Sequence, residues 1–177
     1  PEATKCYQYC INQGFNDHRV FSNYAGILQN IGKLEAAEIS LRKAIEIKPD
    51  LAEGYSNLGT ILRDLGKLQD AEISIRKAIE IKPDFADAHS NLGTILRDLG
   101  KLQDAEISIR KAIEIKPDFA DAYSNLGTIL RDLGKLQDAE LSYQKAIEID
   151  PKNKFIKNNL INLLTIYEPK IINSNIL

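Results

Sequence analysis

Two cysteines one helical turn apart, Cys6 and Cys10, with His18 further along, are the residues of this chain best placed to hold a metal. A structural zinc site takes four ligands in recognisable pairs, and three candidates fall short of that. No metal, cofactor or redox chemistry is expected. The chain also lacks G-x-S-x-G, H-E-x-x-H, a phosphate-binding loop and a catalytic carboxylate pair, so it reads as having no catalytic residues. What recurs instead is asparagine. Asn23, Asn57, Asn91, Asn125 and Asn159 follow one another at a single constant interval. A side-chain amide carries both an acceptor and a donor, and so can mirror a peptide group. Such a row suits holding a chain rather than making or breaking bonds.

The elements that must carry these residues follow from the same period. Pro49, Pro83, Pro117 and Pro151 recur at the interval of the asparagines. Residues 52–85 and 86–119 differ only where Glu53, Gly54 and Tyr55 become Asp87, Ala88 and His89. A period of this length means stacked units, each contacting its neighbours, in place of a closed core. In residues 52–85, Tyr55, Leu58, Gly59, Leu62 and Leu65 share one face of a helix. Glu53, Ser56, Asn57, Thr60, Arg63 and Asp64 fall on the other. Gly66 can take the left-handed conformation that ends the helix. A second helix follows, with Leu68, Ala71, Ile75, Ala78 and Ile79 on one stripe, and it stops before Pro83. Asp50, Asp84 and Asp118 are expected to cap the helices that come next, Asp50 together with Glu53 as a capping box.

The pattern Y-x-x-L-G-x-x-x-L, then A-x-x-x-I-x-x-A, then proline is carried by Tyr55, Leu58, Gly59, Leu62, Ala71, Ile75, Ala78 and Pro83. It resembles the tetratricopeptide repeat (TPR). Full copies run 18–51, 52–85, 86–119 and 120–153. Phe21, Tyr24 and Ala25 replace Tyr, Leu and Gly in the first copy. Residues 1–17 read as the second helix of a preceding unit, with Ala3, Tyr7 and Cys10 in small–large–small places. Residues 154–167 read as a closing helix keeping Leu160 and Leu164 in register, and 168–177 as a tail after Pro169, its Ile171, Ile172, Ile176 and Leu177 covering the end of the stack. The resemblance implies an all-α fold, a right-handed α-solenoid of tandem helix–turn–helix TPR units. It further implies that the first helix of each pair lines a concave groove.

The polar stripe would then be the groove wall. The S-N-L-G segments resemble those in the repeat region of O-linked N-acetylglucosamine transferase, where the corresponding asparagines hold peptide backbone. That implies a ligand role for Asn57, Asn91 and Asn125, extended by register to Asn23 and Asn159, with Thr60, Thr94 and Thr128 assisting. Asparagine at this place also serves helix packing and solubility in such repeats, and duplication alone would propagate it. Arg63, Arg97 and Arg131 form a second row that could fork onto a ligand carboxylate. With Asp64, Asp98 and Asp132 beside them, the favoured reading is a solvated, self-neutralising face.

On the second helices, Ile39, Ile73, Ile107 and Leu141 lie opposite the main apolar stripe, next to Glu38, Glu72, Glu106 and Glu140. The favoured expectation is packing against the neighbouring second helix, the alternative a ridge for self-association, as at the stack ends. His89 replaces Tyr55 and Tyr123 at a core edge and is read as structural.

Lys and Arg number 23 against 25 Asp and Glu, a net charge of −2, which leaves no electrostatic footprint for nucleic acid or a membrane surface. With no apolar run of spanning length and no signal pattern, a cytoplasmic protein is expected. There is no Met, so the chain is read as a piece of a longer protein. The functional expectation is a non-catalytic scaffold that binds an extended peptide or protein segment in its concave groove. The alternatives are the substrate-docking arm of a larger, glycosyltransferase-like enzyme and a self-assembling spacer.

Overall fold

The computed structural model describes the backbone of residues 2–14 and 16–174 and the side chains of residues 5, 7–9, 11–14 and 16–165. Among the described residues every regular element is a helix: α1 (Glu2–Asn12), α2 (His18–Asn30), α3 (Leu34–Ile47), α4 (Ala52–Asp64), α5 (Leu68–Ile81), α6 (Ala86–Asp98), α7 (Leu102–Ile115), α8 (Ala120–Asp132), α9 (Leu136–Ile149) and α10 (Lys154–Ser174). They form two compact units, Pro1–Asn91 and Leu92–Leu177, with α6 running from one into the other. In the first unit α2 pairs with α3 and α4 with α5, α3 also meeting α4; in the second α8 pairs with α9, and α10 packs on both.

The tight turn inside each pair has a single backbone solution. Gly66 takes φ +75°, Gly66 N–H donates to Arg63 O at 2.9 Å and Lys67 N–H to Leu62 O at 2.8 Å. These two bonds cap the last carbonyls of α4 in the Schellman pattern, which needs a left-handed residue after the helix.

The turn between pairs differs from the expectation of aspartate caps. Leu51 and Phe119 are the N-cap residues of α4 and α8, and neither helix has a side-chain cap. Leu51 N–H bonds to Lys48 O at 3.3 Å and Phe119 N–H to Lys116 O at 3.2 Å. Lys-Pro-Asp-Leu therefore closes a β-turn with proline at its second place, which pre-sets φ there and leaves Asp50 at the turn's tip. Asp17 does cap α2, accepting from Arg19 N–H at 2.8 Å. Asn153 accepts from Phe155 N–H at 3.1 Å at the start of α10.

The paired helices approach closely through missing side chains. A Cβ on Gly59 would stand 2.5 Å from Ile75 Cγ1, and one on Gly93 2.5 Å from Ile109 Cγ1. In the fourth repeat Tyr143 replaces the isoleucine, is fully buried, and would lie 2.8 Å from a Cβ on Gly127. The first repeat solves the same contact with Ala25 and Leu41, both buried. Ile61, Ile95 and Ile129, outside the stripe read from the sequence, are also buried, as is Gly54, whose added Cβ would meet Leu51 and Ile45. α4 and α8 thus each bury two seams, one toward their own partner helix and one toward the preceding second helix.

The helix expected over 154–167 is present and continues through Pro169 to Ser174. Proline's ring fixes φ at a value that is itself helical, and its missing N–H removes one backbone bond. The end-covering role assigned to Ile171, Ile172, Ile176 and Leu177 falls outside the described residues, as do the side chains of Ala3, Cys6 and Cys10.

Candidate functional site

Asn23 on α2 and Asn57 on α4 line one cleft of about 400 Å³ in the first unit, with His18, Arg19, Ser22, Leu51, Glu53 and Gly54. Both asparagines are exposed. Among the described residues neither side-chain amide has a hydrogen-bond partner. The Ser22 hydroxyl in the same wall is buried without a partner there. One end carries Arg19, which grips Asp17 at 2.6 Å. Hydrogen bonds from Arg19 hold the Asp17 carboxyl down at about 2. The cleft thus offers free amide donors and acceptors between a cation and the Glu53 carboxylate.

Asn91 differs from its register mates. It is half-buried, and its Nδ2 donates to Ser56 Oγ at 3.3 Å. Ser56, Ser90 and Ser124, expected on the groove wall, are instead buried at 2%, 4% and 4% exposure. Their neighbours along the helix explain this: Ala52 and Gly59, four before and three after Ser56, are both buried in a seam. In the second unit Asn125 and Asn159 are half-buried.

Thr60 and Thr128 are turned toward their own repeats. Thr60 Oγ1 donates to Asn57 O at 2.8 Å. Thr128 Oγ1 donates to Ser124 O at 3.1 Å and lies 3.0 Å from the Tyr143 hydroxyl on α9. Thr94 is half-buried.

The arginine and aspartate rows are brought together with each other. Arg63 meets Asp64 at 3.3 Å, and Gln29 reaches Asp64 at 3.5 Å. Arg97 Nε bonds to Asp132 Oδ2 at 2.6 Å, linking α6 to α8, while Arg131 holds the other oxygen at 2.9 Å and Arg97 stands 3.8 Å from Asp98. Burial opposes the charged form of Asp132, but the bonds from Arg97 and Arg131 outweigh it and lower its pKa. This is the self-neutralising face expected of the pairing.

The second helices hold a contact that the sequence reading missed. Glu38 on α3 is nearly buried and bonds to Lys67, which precedes α5, at 2.7 Å, and to Arg42 at 2.8 Å. Glu106 repeats this with Lys135 and Arg110, each at 2.8 Å. The hydrogen bond from the lysine is the main cause that lowers each glutamate's pKa, against the opposing effect of burial. The available signal was the pairing itself, Lys67 and Lys135 following Glu38 and Glu106 at the same distance along the chain. The aliphatic row beside them does not pack inward as expected: Ile39, Ile73, Ile107 and Leu141 are 71%, 68%, 68% and 63% exposed. His89 is half-buried with its ring nitrogen 2.9 Å from Pro83 O, a structural contact. Among the described residues no cluster of metal-ligating side chains occurs, and no helix is long and apolar enough to cross a membrane.

Tandem helical hairpins closed by a glycine turn, with polar first-helix faces, define an all-α repeat protein of the interaction-scaffold class. The tetratricopeptide-repeat profile matches residues 52–85, 86–119 and 120–153, and a second profile of the same repeat matches 18–51. The chain belongs to the tetratricopeptide-repeat family.

Solved structures of similar fold include MamA, at 26% identity and TM-score 0.74 over 84% of this chain and 87% of that one. TTC0263, a thermophilic TPR protein of Thermus thermophilus, is 21% identical, with TM-score 0.80 over 92% and 89%. YrrB, a TPR protein with an unusual peptide-binding site, is 22% identical, with TM-score 0.69 over 93% and 85%. No curated protein matches the chain in sequence.

Proposed function

We propose that this scaffold holds an extended peptide or protein segment on its first-helix face, with Asn23 and Asn57 as the principal contacts. The observation that carries the reading is the cleft they share, where two free amides and an orphaned serine hydroxyl stand together. An amide that donates and accepts can pair with a backbone peptide group whatever the side chain beside it. The Arg63, Arg97 and Arg131 row contributes less in this reading, because its charge is already met by Asp64, Asp98 and Asp132. Asn91, Asn125 and Asn159 extend the register, Asn91 at the cost of releasing Ser56. Thr60, Thr94 and Thr128 would shape the wall. YrrB, of similar fold, has an unusual peptide-binding site, which is in keeping with a peptide ligand; the case for this chain rests on its own residues.

The test is binding of a diverse array of extended peptides to the chain and to an Asn23→Ala/Asn57→Ala variant of equal helicity. Loss of two hydrogen bonds at ~0.5–1.5 kcal/mol each weakens binding by about fivefold to about 150-fold. Unchanged binding by the variant would overturn the assignment.

A further inference from the structure

Exposed aliphatic side chains are ordinary when scattered. Here one recurs at the same register of α3 and α5, and again of α7 and α9. In the first unit each forms the lip of an apolar cleft. Ile39 borders one of about 470 Å³ floored by Phe21, Tyr24 and Leu28. Ile73 borders one of about 350 Å³ floored by Tyr55, Leu58 and Leu62. The charges around these residues alternate in a fixed order along the helix. Glu35 and Asp70 stand about one turn before the isoleucine; Arg42 and Lys43, Arg76 and Lys77 stand one turn after it. Asp104 and then Arg110 and Lys111 repeat the order around Ile107, and Asp138 and Lys145 around Leu141.

The leading acids Glu35, Asp70, Asp104 and Asp138 have no ion-pair partner among the described residues. Of the trailing bases, the lysines are held only by exposed contacts on their own helix, such as Lys77 to Glu80 at 2.7 Å, which solvent keeps weak, while Arg42 and Arg76 are bound to Glu38 and Glu72 at 2.8 Å.

An acid–isoleucine–base order becomes complementary to itself when one copy is reversed. We propose that the α3–α5 face of the first unit is the interface of a homodimer in which each of these two helices lies antiparallel to its own counterpart in a second copy. The two-fold axis lies in the interface plane and crosses the helices near the isoleucines. Ile73 then packs beside Ile73 of the second copy at the mouth of the cleft, and Asp70 faces Arg76 and Lys77 of that copy. Symmetry makes each such contact twice. A parallel arrangement sets acid against acid and base against base. The resulting patch has apolar anchors in pockets and a charged rim, the usual anatomy of a specific interface. A second copy matches the alternation at both Ile39 and Ile73 by symmetry alone, which singles it out over an unrelated partner. This face is separate from the asparagine cleft, so either assignment stands without the other.

Sedimentation velocity of the whole chain over roughly 1 μM to 0.5 mM covers the relevant affinities. The expected result is a monomer–dimer equilibrium, weakened at least about tenfold in an Ile39→Ser/Ile73→Ser variant of unchanged helicity. Asp70→Lys and Lys77→Glu each weaken the dimer when alone, and together they restore it, because the reversed pair remains complementary across the two-fold. A chain that stays monomeric over the whole range overturns the proposal. So does a dimer indifferent to the isoleucine changes, or a double charge variant no stronger than its weaker single.

Discussion

Asn91 donates a hydrogen bond to Ser56, joining α6 to α4, while Asn57 and Ser22 stand at the same register one repeat earlier and remain apart. The identical residue pair is therefore closed in one repeat and open in the one before it. Ser56→Ala removes a made bond and is expected to lower stability by ~0.5–1.5 kcal/mol, whereas Ser22→Ala removes an orphaned buried hydroxyl and is neutral or stabilising. Urea unfolding of the two variants checks this. An equal loss in both would mean that Ser22 is satisfied in solution.

Gly59 and Ile75 set the distance between α4 and α5. A methyl group on Gly59 collides with Ile75 at 2.5 Å, so Gly59→Ala is expected to destabilise by about 1–3 kcal/mol despite alanine's better helix propensity. The first repeat already contains the remedy, Ala25 against Leu41. Gly59→Ala/Ile75→Leu should recover most of the loss in thermal or urea unfolding, and failure to recover would point to backbone approach rather than side-chain shape.

Glu38 and Glu106 tie successive second helices through Lys67 and Lys135. Their pKa values are lowered in the folded chain. A depressed carboxylate contributes stability that is full above its unfolded value, about 4.3, and is lost as pH falls through the lower folded value. Stability should therefore fall as pH drops below about 4.3. Glu38→Gln/Glu106→Gln should be less stable than the parent at pH 7 and converge with it in acid. Parallel curves for the two proteins would assign the acid loss to other groups.

Gly66 holds φ +75° between α4 and α5. Its Cβ position is open, so Gly66→Ala meets no neighbour, and the expected loss of about 1–2 kcal/mol comes from the left-handed backbone alone. Gly66→Asn should cost less, since asparagine tolerates that conformation. Calorimetric Tm values for the two variants provide the comparison.

Much of this molecule was legible in its sequence because stacked repeats make local pattern and tertiary contact coincide. Gly66 and Pro83 punctuate the chain with backbone chemistry that any fold must obey, and Gly59, Ala71 and Ile75 mark a close helix pair by size alone. The same periodicity exposed the asparagine register. A helical wheel, however, ranks one stripe at a time. It left out Ile61 and Gly54, which face the preceding repeat, and placed Ser56 on the outer wall although Ala52 and Gly59 carry it into a seam. Asp50 looked like a cap because its type suits one, yet the proline turn moves the helix start to Leu51.

What the sequence alone determined was the hairpin unit, its period and the residue types on each face, since these depend on spacing within a single repeat. Only the tertiary structure decided which amides are engaged and which stay free. Asn91 closes on Ser56 while Asn57 does not close on Ser22, and Lys67 reaches Glu38 while Ile39 beside it faces solvent. Those outcomes depend on where a neighbouring repeat places its atoms to within about an ångström, because hydrogen bonds are made or lost over that distance.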